Sequence, residues 1–234
     1  MNALITGASS GIGFELSKVL CRDFGYRVLG VGRNTVALKK LSEELGGCFS
    51  YLAADLSRIE EVNSVADYVV REFDRLDLLV NNAGFGVYGG VLQHSDEDLI
   101  SVTTVNFLSP LILTKRLVGK MGRGSTVVFV VTAGIHVLMR DLPIYGAAKI
   151  ALHYSLEALR EELKGVGINV LAVYPGLVRT EFHRRAGREV AGGADPADVA
   201  KKIAQAIRGG KKRLYVPRYL TVVRLLGPYL PAFR

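Results

Sequence analysis

Ala3-Leu4-Ile5-Thr6-Gly7-Ala8-Ser9-Ser10-Gly11-Ile12-Gly13 is the stretch on which the reading of this sequence turns. A short apolar run ends in a glycine-rich turn, and Phe14-Glu15-Leu16-Ser17-Lys18-Val19-Leu20 then begins a helix. Strand, glycine loop and helix in that order open a βαβ unit. Glycines in such a turn allow a tight bend and let backbone N–H groups approach a pyrophosphate, which then sits at the positive end of the helix dipole. The spacing here is G-x-x-x-G-x-G, which differs from the G-x-G-x-x-G of the general dinucleotide fingerprint.

Outward from this loop, short apolar runs alternate with helical patterns, the signature of a parallel sheet buried on both faces. The patterns predict strands near 2–6, 26–31, 48–53, 77–81, 125–131, 168–174 and 213–216. Helices are predicted near 11–24, 34–45, 58–74, 96–120, 144–164 and 196–208. The β-branched runs Val127-Val128-Phe129-Val130-Val131 and Ile168-Asn169-Val170-Leu171-Ala172-Val173 read as central strands. The expected fold is α/β: a single doubly wound Rossmann-type domain over residues 1–217, about seven parallel strands with helices on both faces. Residues 176–195, rich in Gly, Arg and Ala, form the only long irregular segment and the first place to expect mobility.

The chain has 234 residues, 49 % hydrophobic and 22 % charged, which excludes a disordered, collagenous or coiled-coil protein. The first strand begins almost at Met1, so no signal peptide is expected. The longest uncharged stretch, Gly124 to Met139, is shorter than a spanning helix needs. Cys21 and Cys48 stand in no metal-like spacing, and no metal-ligand cluster is visible; a reducing cytoplasm is the expected location. The net charge of +8 is a property of the end of the chain: residues 199–234 carry nine Lys and Arg and no acid. A net-neutral body with a basic tail argues against a nucleic-acid groove. The tail itself, residues 218–234, reads as a short basic amphipathic helix stopped by Gly227-Pro228. Packing against the body or a second subunit is favoured for it over a membrane surface, which stays possible.

Candidate functional residues fall where parallel strands end. An acid about 20 residues past the glycine loop would hold a ribose 2′-hydroxyl. Arg33, followed by Asn34, stands there instead, 20 residues after Gly13. A guanidinium pairs with a 2′-phosphate, so NADP(H) is preferred over NAD(H). Asp55-Leu56 follows the third strand and Asn81-Asn82-Ala83-Gly84 closes the fourth. Tyr145 and Lys149 open a helix at i,i+4 spacing and share a face, where a nearby ammonium would lower the phenol pKa. Thr132 brings a hydroxyl to the end of the fifth strand. Pro110 cannot donate to the Asn106 carbonyl four residues back, so the 96–120 helix should kink and leave a carbonyl free to hold water.

Thr6-Gly7-x-x-x-Gly11-Ile12-Gly13, Asn81-Asn82-Ala83-Gly84, Asn106, Thr132, Tyr145-x-x-x-Lys149 and Pro175-Gly176 with Thr180 stand in the order of the short-chain dehydrogenase/reductase family, which residues 3–180 resemble. The resemblance implies reversible hydride transfer between nicotinamide and a carbonyl carbon. In it Tyr145 is acid/base, Thr132 polarises the carbonyl, Lys149 holds the nicotinamide ribose and Asn106 orders a relay water. It assigns the cofactor to Gly7, Ser9, Ser10, Gly11, Ile12, Gly13, Arg33, Asn34, Asp55, Leu56, Asn82, Ala83, Gly84, Tyr145, Lys149, Pro175, Gly176, Val178 and Thr180. Asp55 would hold the adenine; for Asn81 plain structural support is an equal reading. The family usually has Ser at the position of Thr132, whose methyl adds bulk.

A small to medium, largely apolar ketone or aldehyde is expected, in a pocket drawn from Ile135, Val137, Leu138, Met139, Leu142, Phe85 and Phe182. Arg179, His183, Arg184, Arg185 and Arg188 make the 176–195 segment basic, which leaves an anionic or lipid substrate as an alternative. His136 reads as a packing residue. A non-enzymatic NADPH sensor or scaffold is the competing function, and the family implies a homodimer or homotetramer.

Overall fold

Ala3, Leu4 and Ile5 are wholly buried, as are Leu78, Leu79 and Val80 opposite them. Such continuous burial requires cover on both faces of a sheet, and a computed structural model describing residues 1–226 shows that cover. The strands are β1 (Asn2–Thr6), β2 (Arg27–Gly32), β3 (Phe49–Ala53), β4 (Leu78–Asn81), β5 (Thr126–Val130), β6 (Asn169–Pro175) and β7 (Arg213–Val216). All pairings are parallel, in the order β3-β2-β1-β4-β5-β6-β7.

The period of two along each strand divides the core. Leu4, Leu79, Val127 and Phe129 face one layer with Val62, Leu113, Leu152 and Leu156. Ile5, Val80 and Val128 face the other with Leu16, Leu20, Leu38 and Ile203. Helices α1 (Gly11–Phe24), α2 (Thr35–Leu45), α3 (Ile59–Glu72), α4 (Asp96–Thr103), α5 (Ser109–Leu117), α6 (Pro143–Lys164), α7 (Phe182–Ala186), α8 (Pro196–Arg208) and α9 (Leu220–Leu226) supply these side chains and the rims. Local chemistry sets their ends. Asp195 caps α8 by accepting from the Ala197 N–H at 2.8 Å, with Pro196 in the first turn.

Two expectations are corrected. The single helix over 96–120 is α4, a π-helical turn at Thr104–Leu108, α5 and a 3₁₀ turn at Val118–Lys120. Pro110 lacks an N–H, and the helix widens just before it, where the Ser109 N–H reaches the Thr104 carbonyl five residues back. The segment 176–195 is not irregular throughout: it holds α7 and a parallel bridge between Val178 and Ala194. The tail helix is α9, which packs against β7 and the 3₁₀ turn Ala133–His136. Its expected stop, Gly227-Pro228, lies outside the described residues.

β1 pairs with β2 on one side and β4 on the other, so the connections leaving these strands run to opposite faces. Their carboxyl ends diverge at this switch point and leave a crevice.

Candidate active site

The crevice is a cavity of about 1000 Å³. Of the catalytic and cofactor residues expected from the sequence, all but Gly13 and Asn106 line it, and Asn81 also stays outside. Its floor is the glycine loop. Gly7 and Gly11 have φ of 69° and 57°, the left-handed region that favours glycine. Gly13 serves packing: a β-carbon there would lie 2.4 Å from the Gly7 carbonyl oxygen and 2.5 Å from Asn82 Nδ2. The Asn82 amide clasps the loop by donating to the carbonyls of Thr6 and Gly7 at 2.9 and 3.3 Å. Thr6 completes the clasp, since its Oγ1 accepts from the N–H groups of Asn82 and Ala83, both at 3.0 Å. This role of Thr6 was missed in the sequence, where a threonine ending a strand carries no signal of its own. Asn81 turns the other way and donates to Thr114 Oγ1 at 3.2 Å, a buried tie between β4 and α5.

At one end of the cavity Arg33 lies exposed, its Nη1 3.6 Å from Asp55 Oδ2. Asp55 Oδ1 accepts from the Ser57 N–H and hydroxyl at 3.0 and 2.9 Å. Partial burial would raise the Asp55 pKa, but the Ser57 hydrogen bonds and the Arg33 charge outweigh it and hold the carboxyl below its ordinary value. Asn34 spends its side chain on capping α2, with Oδ1 accepting from the Ala37 N–H at 3.0 Å.

At the other end β5, the Ala133–His136 turn and the first turns of α6 bring Thr132, Tyr145 and Lys149 together. Thr132 Oγ1 accepts from the Gly134 N–H at 3.1 Å and lies within hydrogen-bonding reach of the Tyr145 phenol. Lys149 is 3 % exposed, and its Nζ donates to the Val130 carbonyl at 2.9 Å and lies 5.7 Å from the Tyr145 ring centroid. Burial dominates both titrations: it pushes the Tyr145 phenol up and the Lys149 ammonium down to about 7. The expected lowering of Tyr145 by Lys149 is therefore corrected. Desolvation outweighs the one opposing influence on the phenol, the Thr132 hydrogen bond.

Asn106, fully buried in the π turn, donates Nδ2 to the carbonyls of Phe85 and Val102 at 2.7 and 2.9 Å. Its Oδ1 is buried without a partner. A β-carbon on Gly84 would meet that oxygen at 2.8 Å and Lys149 Nζ at 3.6 Å, so the two polar groups face one small space. The sequence pointed to the Asn106 backbone carbonyl; the structure turns attention to the side-chain oxygen.

Val137, Met139, Leu142 and Phe182 line this end, and the Phe182 ring sits 5.1 Å from that of Tyr145; Phe85 lines the cavity too, but its ring lies 5.8 Å from the Arg33 guanidinium, which removes it from the expected pocket. Ile135 packs on the core and Leu138 is 59 % exposed, which removes both from the expected pocket. His136 stacks on Tyr215 and shares a 3.0 Å hydrogen bond with its hydroxyl. Leu220 and Val223 of α9 join the wall, a contribution from the end of the chain that local sequence does not signal.

The Lys149 geometry has a measurable consequence. Between pH 7 and 10.5 the unfolded chain holds a proton on Lys149 that the folded chain lacks, so stability rises with pH through that window. Lys149→Met should remove this slope. The variant should be more stable than the wild type below pH 7, by about 2–4 kcal/mol, with the gap narrowing towards pH 10. Urea unfolding at pH 6, 8 and 10 measures it; a gap independent of pH would contradict a buried lysine with a lowered pKa.

The residues suit a nicotinamide dinucleotide. The glycine cradle leaves no room for side chains, since a β-carbon on Gly7 would approach the Ala83 Cα to 2.9 Å and one on Gly11 the Thr180 Cγ2 to 2.8 Å. A cation stands at one end of it and a hydroxyl pair at the other.

Known proteins agree. The family model described as short chain dehydrogenase matches residues 1–191. Dehydrogenase/reductase SDR family member 7B of Xenopus tropicalis is 31 % identical, over 96 % of this chain and 81 % of that protein. A short-chain dehydrogenase from Sphingobium yanoikuyae in complex with NADPH superposes with a TM-score of 0.85 at 28 % identity, covering 94 % of this chain and 89 % of that one. A short chain dehydrogenase/reductase from Burkholderia phymatum in complex with NAD has the same TM-score, 0.85, at 22 % identity, covering 96 % and 92 %. That last likeness is one of fold.

Proposed function

The chain belongs to the short-chain dehydrogenase/reductase family, and from that premise we propose that it is an NADP(H)-dependent oxidoreductase interconverting a carbonyl and an alcohol. The observation that carries the reading is the meeting of Thr132, Tyr145 and Lys149 at one end of a cavity whose floor is the glycine loop. A bound nicotinamide would supply or accept the hydride at C4. Thr132 and Tyr145 hydrogen-bond the substrate oxygen, and the Tyr145 phenol, protonated through burial, gives its proton to the developing alkoxide. Lys149 holds the nicotinamide ribose. The unpartnered Asn106 oxygen holds a water that returns a proton towards Lys149. The apolar wall of Val137, Met139, Leu142 and Phe182 supports a small to medium, largely apolar ketone or aldehyde.

The preference for NADP(H) rests on Arg33, which lies at the end of β2 with no acid in its place. Its neighbour Asp55 is the only carboxylate near it among the described residues, and a 2′-phosphate competes for it there. Arg33→Ala should weaken NADPH binding about tenfold and NADH binding less than twofold by fluorescence titration. Equal losses would show that the arginine does not read the phosphate. Ile150 and Tyr154, one turn apart on α6, are 50 % and 81 % exposed, which supports a homo-oligomer closing over this helix.

NADPH oxidation with a panel of aldehydes, aliphatic and aromatic ketones, 3-keto acids and steroids tests the reading. Turnover of neutral ketones or aldehydes is expected. Tight NADPH binding without turnover across the panel would favour the sensor.

A further inference from the structure

The basic segment that follows β6 looks, as sequence, like a trap for an anionic substrate, but its arginines are not equivalent. Arg179 pairs with Asp195 at 2.9 Å, Arg184 pairs with Glu181, and Arg188 pairs with Asp141 at 2.6 Å. Each of these cations is spent on a carboxylate of the segment or its rim. Arg185 differs. Among the described residues it has no carboxylate within salt-bridge distance, it lines the cavity, and its Nη1 donates to Ser10 Oγ of the glycine loop at 3.4 Å.

Ser10 immediately precedes α1, its side chain makes no capping hydrogen bond, and it lines the cavity together with Gly11 and Ile12 of the first turn. Arg185 thus stands across the crevice from the loop, opposite the place where backbone N–H groups would hold a diphosphate. The neighbouring features fix the direction along the cavity. Arg33 stands beside Asp55 and the Phe85 ring, 3.6 and 5.8 Å away, whereas Arg185 meets Ser10 of the glycine loop. The two arginines therefore address different anionic groups of one ligand.

We propose that Arg185 is a diphosphate clamp: its guanidinium closes from α7 over the glycine loop and pairs with the bridging phosphates of the bound dinucleotide. The inference rests on the dinucleotide reading given above and extends it to a residue of the opposite wall. It also removes Arg185 from the substrate end, leaving the basic segment without a spare cation for a substrate anion among its described residues. Because Phe182, three residues earlier, packs on Tyr145 and lies on the same short helix, the clamp ties the seating of the phosphates to the wall of the substrate pocket.

Equilibrium binding separates this role from that of Arg33. ADP, NADH, NADPH and 2′-AMP are titrated into the wild type, Arg185→Ala, Arg185→Lys and, as a control, Arg184→Ala. Arg185→Ala should weaken ADP, NADH and NADPH alike, by about five- to tenfold, and leave 2′-AMP, which has no diphosphate, unchanged. Arg185→Lys should recover part of the loss, and Arg184→Ala should behave as wild type. The loss for ADP should shrink with added salt. Unchanged affinity of Arg185→Ala for ADP, or an equal loss for 2′-AMP, would overturn the clamp while the dinucleotide reading stands. A wild-type chain that binds none of the four would overturn both. Arg185 is exposed on a surface helix, so its variants should keep the wild-type melting temperature, which is measured alongside.

Discussion

Tyr145→Phe is expected to lower turnover of every carbonyl substrate by roughly 10²- to 10⁴-fold while leaving NADPH affinity within about twofold. The change removes one hydroxyl and keeps the ring. The contact with Phe182 and the packing of the first turn of α6 survive, and only the hydrogen-bonding partner of Thr132 is lost. Because burial holds the phenol in its protonated form, the wild type enters the reduction with a proton ready at the substrate oxygen. The variant has no donor there except Thr132, whose hydroxyl already donates to the Pro175 carbonyl at 3.4 Å. Steady-state oxidation of NADPH measures the first quantity and fluorescence titration the second. Residual turnover above a tenth of wild type would remove Tyr145 from the proton path. A loss of binding equal to the loss of turnover would make it a structural residue.

The second large effect concerns a glycine that never touches the cavity. Gly13→Ala places a methyl where the Gly7 carbonyl oxygen and the Asn82 amide already stand, at 2.4 and 2.5 Å. Neither neighbour yields cheaply, because the first is backbone and the second holds the loop to β4 through Thr6. The variant should be destabilised by about 2–3 kcal/mol, a fall in melting temperature of roughly 4–10 °C, and should bind NADPH at least tenfold more weakly. Gly119→Ala is the control, since nothing lies within 4 Å of the added carbon. Thermal unfolding and NADPH titration of both proteins decide the matter: Gly13→Ala matching the control in both would mean that the loop shifts freely and that the clasp does not hold it.

Much of this molecule was legible because its signals are local. The glycine loop must be read as a strand-to-helix turn, since the residues on either side have the two different periodicities within a dozen positions. Tyr145 and Lys149 share a face through helical spacing alone, and Arg33 is found by counting from the loop to the next strand end. Pro110 announced a break in its helix, although the break took the form of a π turn.

What stayed hidden depends on residues distant in sequence. Whether Asn106 shows its backbone or its side-chain oxygen follows from Phe85 and Val102 competing for its amide. Ile135 and Leu138 look alike in an apolar run, yet one packs on the core from within the Ala133–His136 turn and the other, beyond that turn, goes to solvent.

The sequence by itself determined the order and kind of the elements, the glycine loop between β1 and α1 and the shared helix face of Tyr145 and Lys149, all of which follow from periodicity and short spacing. Only the tertiary structure decided the burial of that pair, which raises the phenol and lowers the ammonium, the partnering of each arginine after β6, and the entry of Leu220 and Val223 into the pocket wall. Desolvation, ion pairing and side-chain packing are sums over neighbours in space, and those neighbours are known only once the sheet has closed its layers.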